Sequence, residues 1–127
     1  MSRAVDTADV RPLILLVEDD VALGRALQFT LQIDGYLVEL LDSAEALLER
    51  EFPGGLVCVI TDFYLPGLSG IDALEMLRRR DVTAPAILMT TQPSPRLVAR
   101  AQRAGVAVLE KPILDGRLKT AIKAVCN

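Results

Sequence analysis

The sequence predicts an α/β domain built on a doubly wound parallel sheet, and three observations carry that reading. Short apolar, β-rich runs alternate with longer stretches whose apolar residues recur every three or four positions, the pattern of repeated strand–helix units. The strand-like runs are nearly all apolar, which fits a sheet covered on both faces. The chain has 127 residues, of which 51% are hydrophobic and 24% charged; that is room for one compact domain with a real core and for no second folded one.

Leu13–Val17 reads as the first strand. Val21 to Ile33 follows as a helix with Leu23, Ala26, Leu27, Thr30 and Leu31 as its inward stripe, and Asp34-Gly35 stops it. Tyr36–Leu41 is the second strand, Ser43 caps a helix from Ala44 to Arg50, and Pro53-Gly54-Gly55 punctuates before the third strand, Leu56–Thr61. A loop from Asp62 to Gly70 leads into the helix Ile71–Arg79, and Pro85 opens a fourth strand that runs through Met89. Ser94-Pro95 supplies an N-cap and a proline suited to the first helical position before Leu97–Ala104, which Gly105 closes. Val106–Leu109 is the fifth strand, and Leu114 to Val125 the last helix, with Leu114, Leu118, Ala121, Ile122 and Val125 facing inward. Residues 1–12 read as a polar tail and 13–127 as the folded domain.

The bulk numbers exclude several function classes. A formal net charge of −3 lacks the basic footprint that neutralises phosphates, so direct nucleic-acid binding is not expected. The longest apolar runs have strand length rather than the roughly 20 residues of a membrane span, and Met1 to Pro12 has no apolar segment of a secretory signal. The expected location is the cytoplasm. Cys58 lies inside an apolar run and Cys126 near the end, without metal-ligand spacing, so both read as reduced thiols and Cys58 as core packing. The chain has no histidine, which removes His-based acid–base catalysis, the commonest zinc sites and any internal phosphohistidine. There is no internal repeat and no linker after the last helix, so signalling by contact is expected rather than through an attached output domain.

In open parallel sheets, ligands bind outside the carboxyl ends of the strands. Four predicted strands end in chemistry: Glu18-Asp19-Asp20, Asp62, Thr90-Thr91 and Glu110-Lys111-Pro112. Each has a plain structural reading. Asp19 or Asp20 fits a helix cap, Asp62 a turn-initiating residue, Thr90 an ordinary strand position and Lys111 a solvated surface. Together they resist that reading, because three clustered acids repel and raise one another's pKa unless a cation or the lysine sits among them. An all-oxygen set without histidine or thiolate points to Mg²⁺ or Mn²⁺, and Mg²⁺ typically takes one or two carboxylates and completes its shell with waters and phosphate.

The segments Ile14–Asp20, Val59–Gly70, Pro85–Thr90 and Glu110–Pro112, in this order and at strand ends, resemble the receiver domains of two-component response regulators from Leu13 to the end. The resemblance implies a flavodoxin-like or CheY-like sheet of five strands in the order 2-1-3-4-5. It implies Asp62 as the nucleophile that accepts a phosphoryl group from a phosphohistidine. Asp19 would be a direct metal ligand, Glu18 a ligand through water and the backbone carbonyl of Tyr64 another, with Asp20 left as the helix cap. Thr90 would hydrogen-bond one phosphoryl oxygen and Lys111 pair with another, the lysine also holding the acids apart at rest, on a cis Lys111-Pro112 bond. Such a domain is a switch that catalyses its own phosphorylation and dephosphorylation, not a turnover enzyme. Its partners would be a sensor histidine kinase or phosphotransfer protein and an output protein; Arg96, Arg100, Arg103, Arg117, Lys119 and Lys123 read as one basic face of the fourth and fifth helices, either a solvated surface or a docking face for a partner or a second copy.

Three positions depart from the family pattern. Val108 stands where an aromatic switch residue is common, and a β-branched side chain has little rotamer freedom. Thr91 stands where a small residue is usual and narrows access to the site. Gln92-Pro93-Ser94-Pro95 stiffens the loop that relays the switch. These departures keep a second reading open, a receiver-like module that binds partners without phosphorylation. A Mg²⁺-dependent phosphatase with an aspartyl nucleophile is disfavoured, because its second aspartate would sit where this chain has Tyr64.

Overall fold

A computed structural model describes residues 11–52, 57–113 and 116–126. Its elements are β1 (Leu13–Val17), α1 (Val21–Ile33), β2 (Leu37–Leu41), α2 (Ala44–Glu49), β3 (Val57–Asp62), α3 (Gly70–Arg79), β4 (Ala86–Thr90), α4 (Pro95–Arg103), β5 (Val106–Glu110) and α5 (Arg117–Cys126). The strands are all parallel, in the order β2-β1-β3-β4-β5, so the predicted fold class and strand order hold. Parallel neighbours need crossovers, and the helices supply them while covering both faces. One layer packs Leu15, Val17, Val59 and Leu88 against Leu47, Leu74, Leu77 and Leu97 of α2, α3 and α4. The other packs Ile14, Leu16, Ile60 and Met89 against Leu31 of α1 and Leu118 and Ile122 of α5. Alternate residues of β1 therefore serve opposite cores, which is why that strand carries no polar face. Cys58 is buried as expected.

The boundaries differ from expectation where backbone bonding extends the ladder. β3, β4 and β5 each run one residue further than predicted, to Asp62, Thr90 and Glu110. The Phe63 N–H donates to Met89 O at 2.8 Å and the Lys111 N–H to Thr90 O at 2.8 Å, so sheet geometry persists through the polar ends. Asp62 is thus a strand residue, not the first of a loop. β2 begins at Leu37 rather than Tyr36, α2 ends at Glu49, α3 begins at Gly70, and Pro85 precedes β4 while its carbonyl accepts from the Val59 N–H. α4 begins at Pro95, with the Ser94 hydroxyl accepting from the Leu97 N–H as its cap, and ends at Arg103. The predicted starts of the third strand at Leu56 and the last helix at Leu114, the Pro53-Gly54-Gly55 break and the tail up to Val10 lie outside the described residues. Among the described residues no helix is long and apolar enough to cross a membrane.

The inward face of α1 corrects the sequence reading. Gly24 and Leu31 are buried and Leu27 is half-buried, whereas Leu23, Ala26 and Thr30 are exposed. The cause is close approach, since a Cβ on Gly24 would stand 3.0 Å from Leu40 Cδ1. Counting apolar residues misses a helix rotated so that its glycine rests on the sheet. In α5 the expected stripe holds over the described residues, with Leu118 and Ile122 buried and Ala121 and Val125 half-buried, while Leu114 lies outside them.

A capping box starts α3: Ser69 Oγ accepts from the Asp72 N–H at 3.2 Å, and Asp72 Oδ2 accepts from the Ser69 N–H at 3.4 Å. Ser69→Ala is expected to cost about 1 kcal/mol. That loss appears as a lower urea midpoint at unchanged slope; an unchanged midpoint would show that the cap does not stabilise the domain.

Candidate functional site

The carboxyl ends of β1, β3, β4 and β5 converge. β1 is buried from Ile14 onward and carries Glu18 into the interior at 3% exposure, because the Glu18 N–H still donates to Leu41 O of the neighbouring strand. The next two acids then diverge. Asp20 turns back to cap α1, its Oδ1 accepting from the Leu23 N–H at 3.1 Å, and Asp19 is exposed at the mouth. Asp20 also donates its N–H to Glu18 Oε2 at 3.2 Å, which fixes the glutamate side chain.

β3 delivers Asp62, 6% exposed, beside the ends of β1 and β4. Its position depends on a tight return of the chain. The Gly70 N–H donates to Phe63 O at 3.0 Å, and a Cβ on Gly70 would lie 2.2 Å from Asp62 O. The Thr61 hydroxyl donates to the same carbonyl at 3.0 Å. Beyond it, Glu45 Oε2 accepts from the Leu68 N–H at 3.3 Å and ties α2 to the loop. Neither Gly70 nor Glu45 figured among the candidate residues. The signal for Gly70 was present in Ser69-Gly70, a capping residue followed by a glycine at the helix start; Glu45 had none.

Thr90 ends β4 almost fully buried and lies opposite Glu110 of β5. Lys111 follows, joined to Pro112 by a cis peptide bond as the family resemblance implied. Its Nζ stands 3.0 Å from Asp62 Oδ1 and 3.6 Å from Glu18 Oε1, so one ammonium bridges two buried acids. Burial alone would lower the Lys111 pKa, but the hydrogen bond and charge of Asp62, helped by Glu18, outweigh it and hold the pKa above its usual value. Burial pushes Glu18 up, and the charges of Asp62 and Asp19 add to that; the Asp20 N–H and Lys111 oppose it.

Carboxylate oxygens of Glu18, Asp19 and Asp62 lie within 4.8 Å of one another. Glu18 Oε1 is buried and, among the described residues, accepts no hydrogen bond. A buried carboxylate oxygen without a donor is costly, and a hard cation held by oxygen ligands relieves that cost. The residues therefore fit a divalent ion of the Mg²⁺ type. Tyr64 is 60% exposed, with its ring edge-on to Phe63 at 4.7 Å, so its side chain stays out of the acidic cluster.

The departures also have places. Val108 is half-buried, opposite Leu88 in the sheet register, and packs against the core on that face. Thr91 is exposed and helps line an apolar cleft of about 420 Å³ with Leu23, Leu27, Met89, Lys111 and Ile113, an approach to the lysine from outside. The expected basic face on the fourth and fifth helices divides instead. Arg100 turns to α3 and pairs with Glu75 and Asp72 at 2.6 and 3.1 Å, and Lys119 turns to Asp34 at the end of α1, 3.8 Å away. Partly exposed acids on neighbouring helices, distant in sequence, have claimed two of the six cations.

Comparison with known proteins agrees with this geometry. The family model described as the response regulator receiver domain matches residues 14–123. The transcriptional regulatory protein FixJ of Bradyrhizobium diazoefficiens is 35% identical over 87% of this chain and 55% of its own length. Nodulation protein W of the same organism is 32% identical over 92% of this chain and 52% of its own length. This chain thus spans about half the length of these curated relatives. The non-phosphorylated HemR receiver domain from Leptospira biflexa superposes with a TM-score of 0.83 at 28% identity, covering 92% of this chain and 95% of that one.

Proposed function

The chain belongs to the response regulator receiver domain family, and from that premise we propose that it works as a phosphorylation switch whose phosphoacceptor is Asp62. The observation that carries the reading is the contact of Lys111 Nζ with Asp62 Oδ1 at 3.0 Å inside a cluster of three acids. In the proposed reaction an Asp62 carboxylate oxygen attacks phosphorus, forms the acyl phosphate bond and expels the donor group with its electron pair. These 127 residues contain no histidine, so a donor phosphohistidine lies outside them, in a sensor kinase or a phosphotransfer protein.

The residues have separable tasks. Lys111 neutralises charge that spreads over the phosphoryl oxygens, and Thr90 donates its hydroxyl to one of them. Glu18, Asp19, Asp62 and the Tyr64 carbonyl would hold Mg²⁺ or Mn²⁺, which when bound draws charge from the phosphoryl oxygens and offsets the repulsion among the acids. Asp20 keeps α1 in place. On this reading the domain catalyses its own phosphorylation and dephosphorylation, occupies residues 13–127 after a tail of residues 1–12, and resides in the cytoplasm. It passes the signal by contact to an output protein or to a second copy across α4 and α5.

Intact mass after incubation with acetyl phosphate tests the proposal. One added phosphoryl group that requires Mg²⁺ is expected. If the mass does not change while Mg²⁺ binding is intact, the phosphorylation-independent module becomes the better reading. Asp19→Asn is expected to weaken Mg²⁺ binding at least ~10-fold, since loss of even an outer partner of a metal ligand costs that much. An unchanged Mg²⁺ titration would remove Asp19 from the ligand set.

A further inference from the structure

The charge of this chain is segregated. Residues 70–104 hold six arginines against three acids, a balance of +3, while the whole chain stands at −3, so the remainder carries −6. Four of these arginines, Arg78, Arg79, Arg100 and Arg103, line an open groove of about 270 Å³ between α3 and α4, together with Glu75 and Ala104. Arg100 is neutralised by Glu75 and Asp72. The other three are not: among the described residues, no carboxylate pairs with Arg78, Arg79 or Arg103.

Arg78 is the unusual one. It is half-buried, and its guanidinium donates from Nε to Ala104 O at 2.8 Å and from Nη1 to Val82 O at 2.9 Å, both neutral acceptors. Burial pushes its pKa down from the usual arginine value. The two carbonyl bonds fix the guanidinium plane, so an incoming carboxylate meets a donor already held in place and little side-chain entropy remains to be lost. Arg79 and Arg103 are exposed on either side of it. The negative ends of two helix dipoles favour cations in these last turns, which accounts for the arginines but leaves their charge open.

We propose that the groove between the C-terminal halves of α3 and α4 docks an acidic segment of a partner protein, with Arg78, Arg79 and Arg103 receiving its carboxylates. A short peptide suits the groove better than a nucleic acid does, because a long polyanion would run from it onto a surface that is net negative. A second copy offers Glu45, Glu49 and Glu51 on and just after its own α2, but Glu45 is already held by the Leu68 N–H; self-association of the chain without peptide would overturn the partner assignment. α3 begins beside Asp62 and runs ten residues away from it, about 15 Å at helical rise. Docking therefore leaves the site at the strand ends accessible, and the groove serves an output or scaffold contact separate from phosphoryl transfer.

The test is a titration of the full chain, followed by ¹⁵N–¹H NMR, with a capped glutamate-rich peptide of about twelve residues. Backbone shifts are expected in α3 and α4, with binding that weakens steeply as salt rises and falls about tenfold in Arg79→Ser/Arg103→Ser. The same peptide with glutamine for glutamate should not bind. Equal binding by the double variant, shifts centred elsewhere, binding of the glutamine peptide, or equally tight binding of a thymidine oligonucleotide would each overturn the proposal. The acetyl phosphate adduct is measured on the same double variant. Its persistence separates a failed groove from a failed receiver reading.

Discussion

Asp62→Asn is expected to abolish the phosphoryl adduct formed with acetyl phosphate and Mg²⁺ while leaving the domain folded. The amide nitrogen is a poor nucleophile, and the second oxygen no longer carries the charge that attack on phosphorus requires. Thr90 and Lys111 do not replace it. Thr90 is an unactivated hydroxyl with no histidine anywhere in the chain to serve as its base, and Lys111 is held protonated between Asp62 and Glu18. The fold should tolerate the change because asparagine keeps the size of the side chain and removes one of three acids crowded within 4.8 Å. Lys111 retains Glu18 as a partner. Intact mass and a urea titration on the same sample check both parts. A phosphoryl group still found on the peptide that contains position 62 would show that the nucleophile is misassigned.

Much of the fold was legible because the sheet is parallel and its central strands are covered twice. Runs such as Leu13–Val17 have no polar alternate residue to confuse with a helical stripe, and Asp20, Ser43 and Ser94 mark helix starts by cap chemistry; Ser69 also caps α3, although the sequence reading began that helix one residue late, at Ile71. What escaped was whatever depends on distance between elements. The rotation of α1 is set by Gly24 resting against Leu40, an approach that the pattern of Leu23, Ala26 and Thr30 does not encode. The extra residue on three strands is set by bonds from the following N–H groups to neighbouring carbonyls, where polarity in the sequence had suggested a loop.

The acidic cluster was legible for a different reason. Glu18, Asp19, Asp62, Thr90 and Lys111 all fall at the ends of strands, and a parallel sheet gathers such ends on one side. The residue types alone left the helix cap open between Asp19 and Asp20, and the family resemblance gave it to Asp20 and the metal-ligand roles to Glu18 and Asp19. The structure separates them by burial and hydrogen bonding: Asp20 faces its own helix, Glu18 is buried with one oxygen lacking a donor, and Asp19 is at the mouth. The basic residues of α4 and α5 show the opposite case. Their spacing suggested one face, but Arg100 and Lys119 are drawn off by acids on α3 and at the end of α1, which no local pattern reveals.

Gly70→Ala should produce the largest loss of stability of any glycine-to-alanine change among the described residues. Gly70 does not need a positive φ; it needs the absence of a side chain, because the added Cβ would lie 2.2 Å from the Asp62 carbonyl oxygen and 3.0 Å from Leu88 Cδ1 and Thr61 Oγ1. Leu88 and Thr61 have some freedom to adjust, but the carbonyl belongs to the backbone of a buried central strand and cannot move alone. Relief requires α3 to shift outward, which lengthens the Gly70 N–H bond to Phe63 O and loosens Ile71, Ala73 and Leu74 from the core. The expected cost is about 3 kcal/mol, the upper range for overpacking. Gly35→Ala is the control, since Gly35 has φ of +99° and open space around its Cβ position; only backbone strain of about 1 kcal/mol applies there. Urea midpoints of the two variants measure the difference. If Gly70→Ala is no more destabilising than Gly35→Ala, the tight return over Asp62 is not what holds α3, and the account of how the site is positioned fails with it. Displacing that return also displaces Asp62 relative to Lys111, so the folded fraction of Gly70→Ala should form the acetyl phosphate adduct more slowly than the unaltered chain, whereas Gly35→Ala should not.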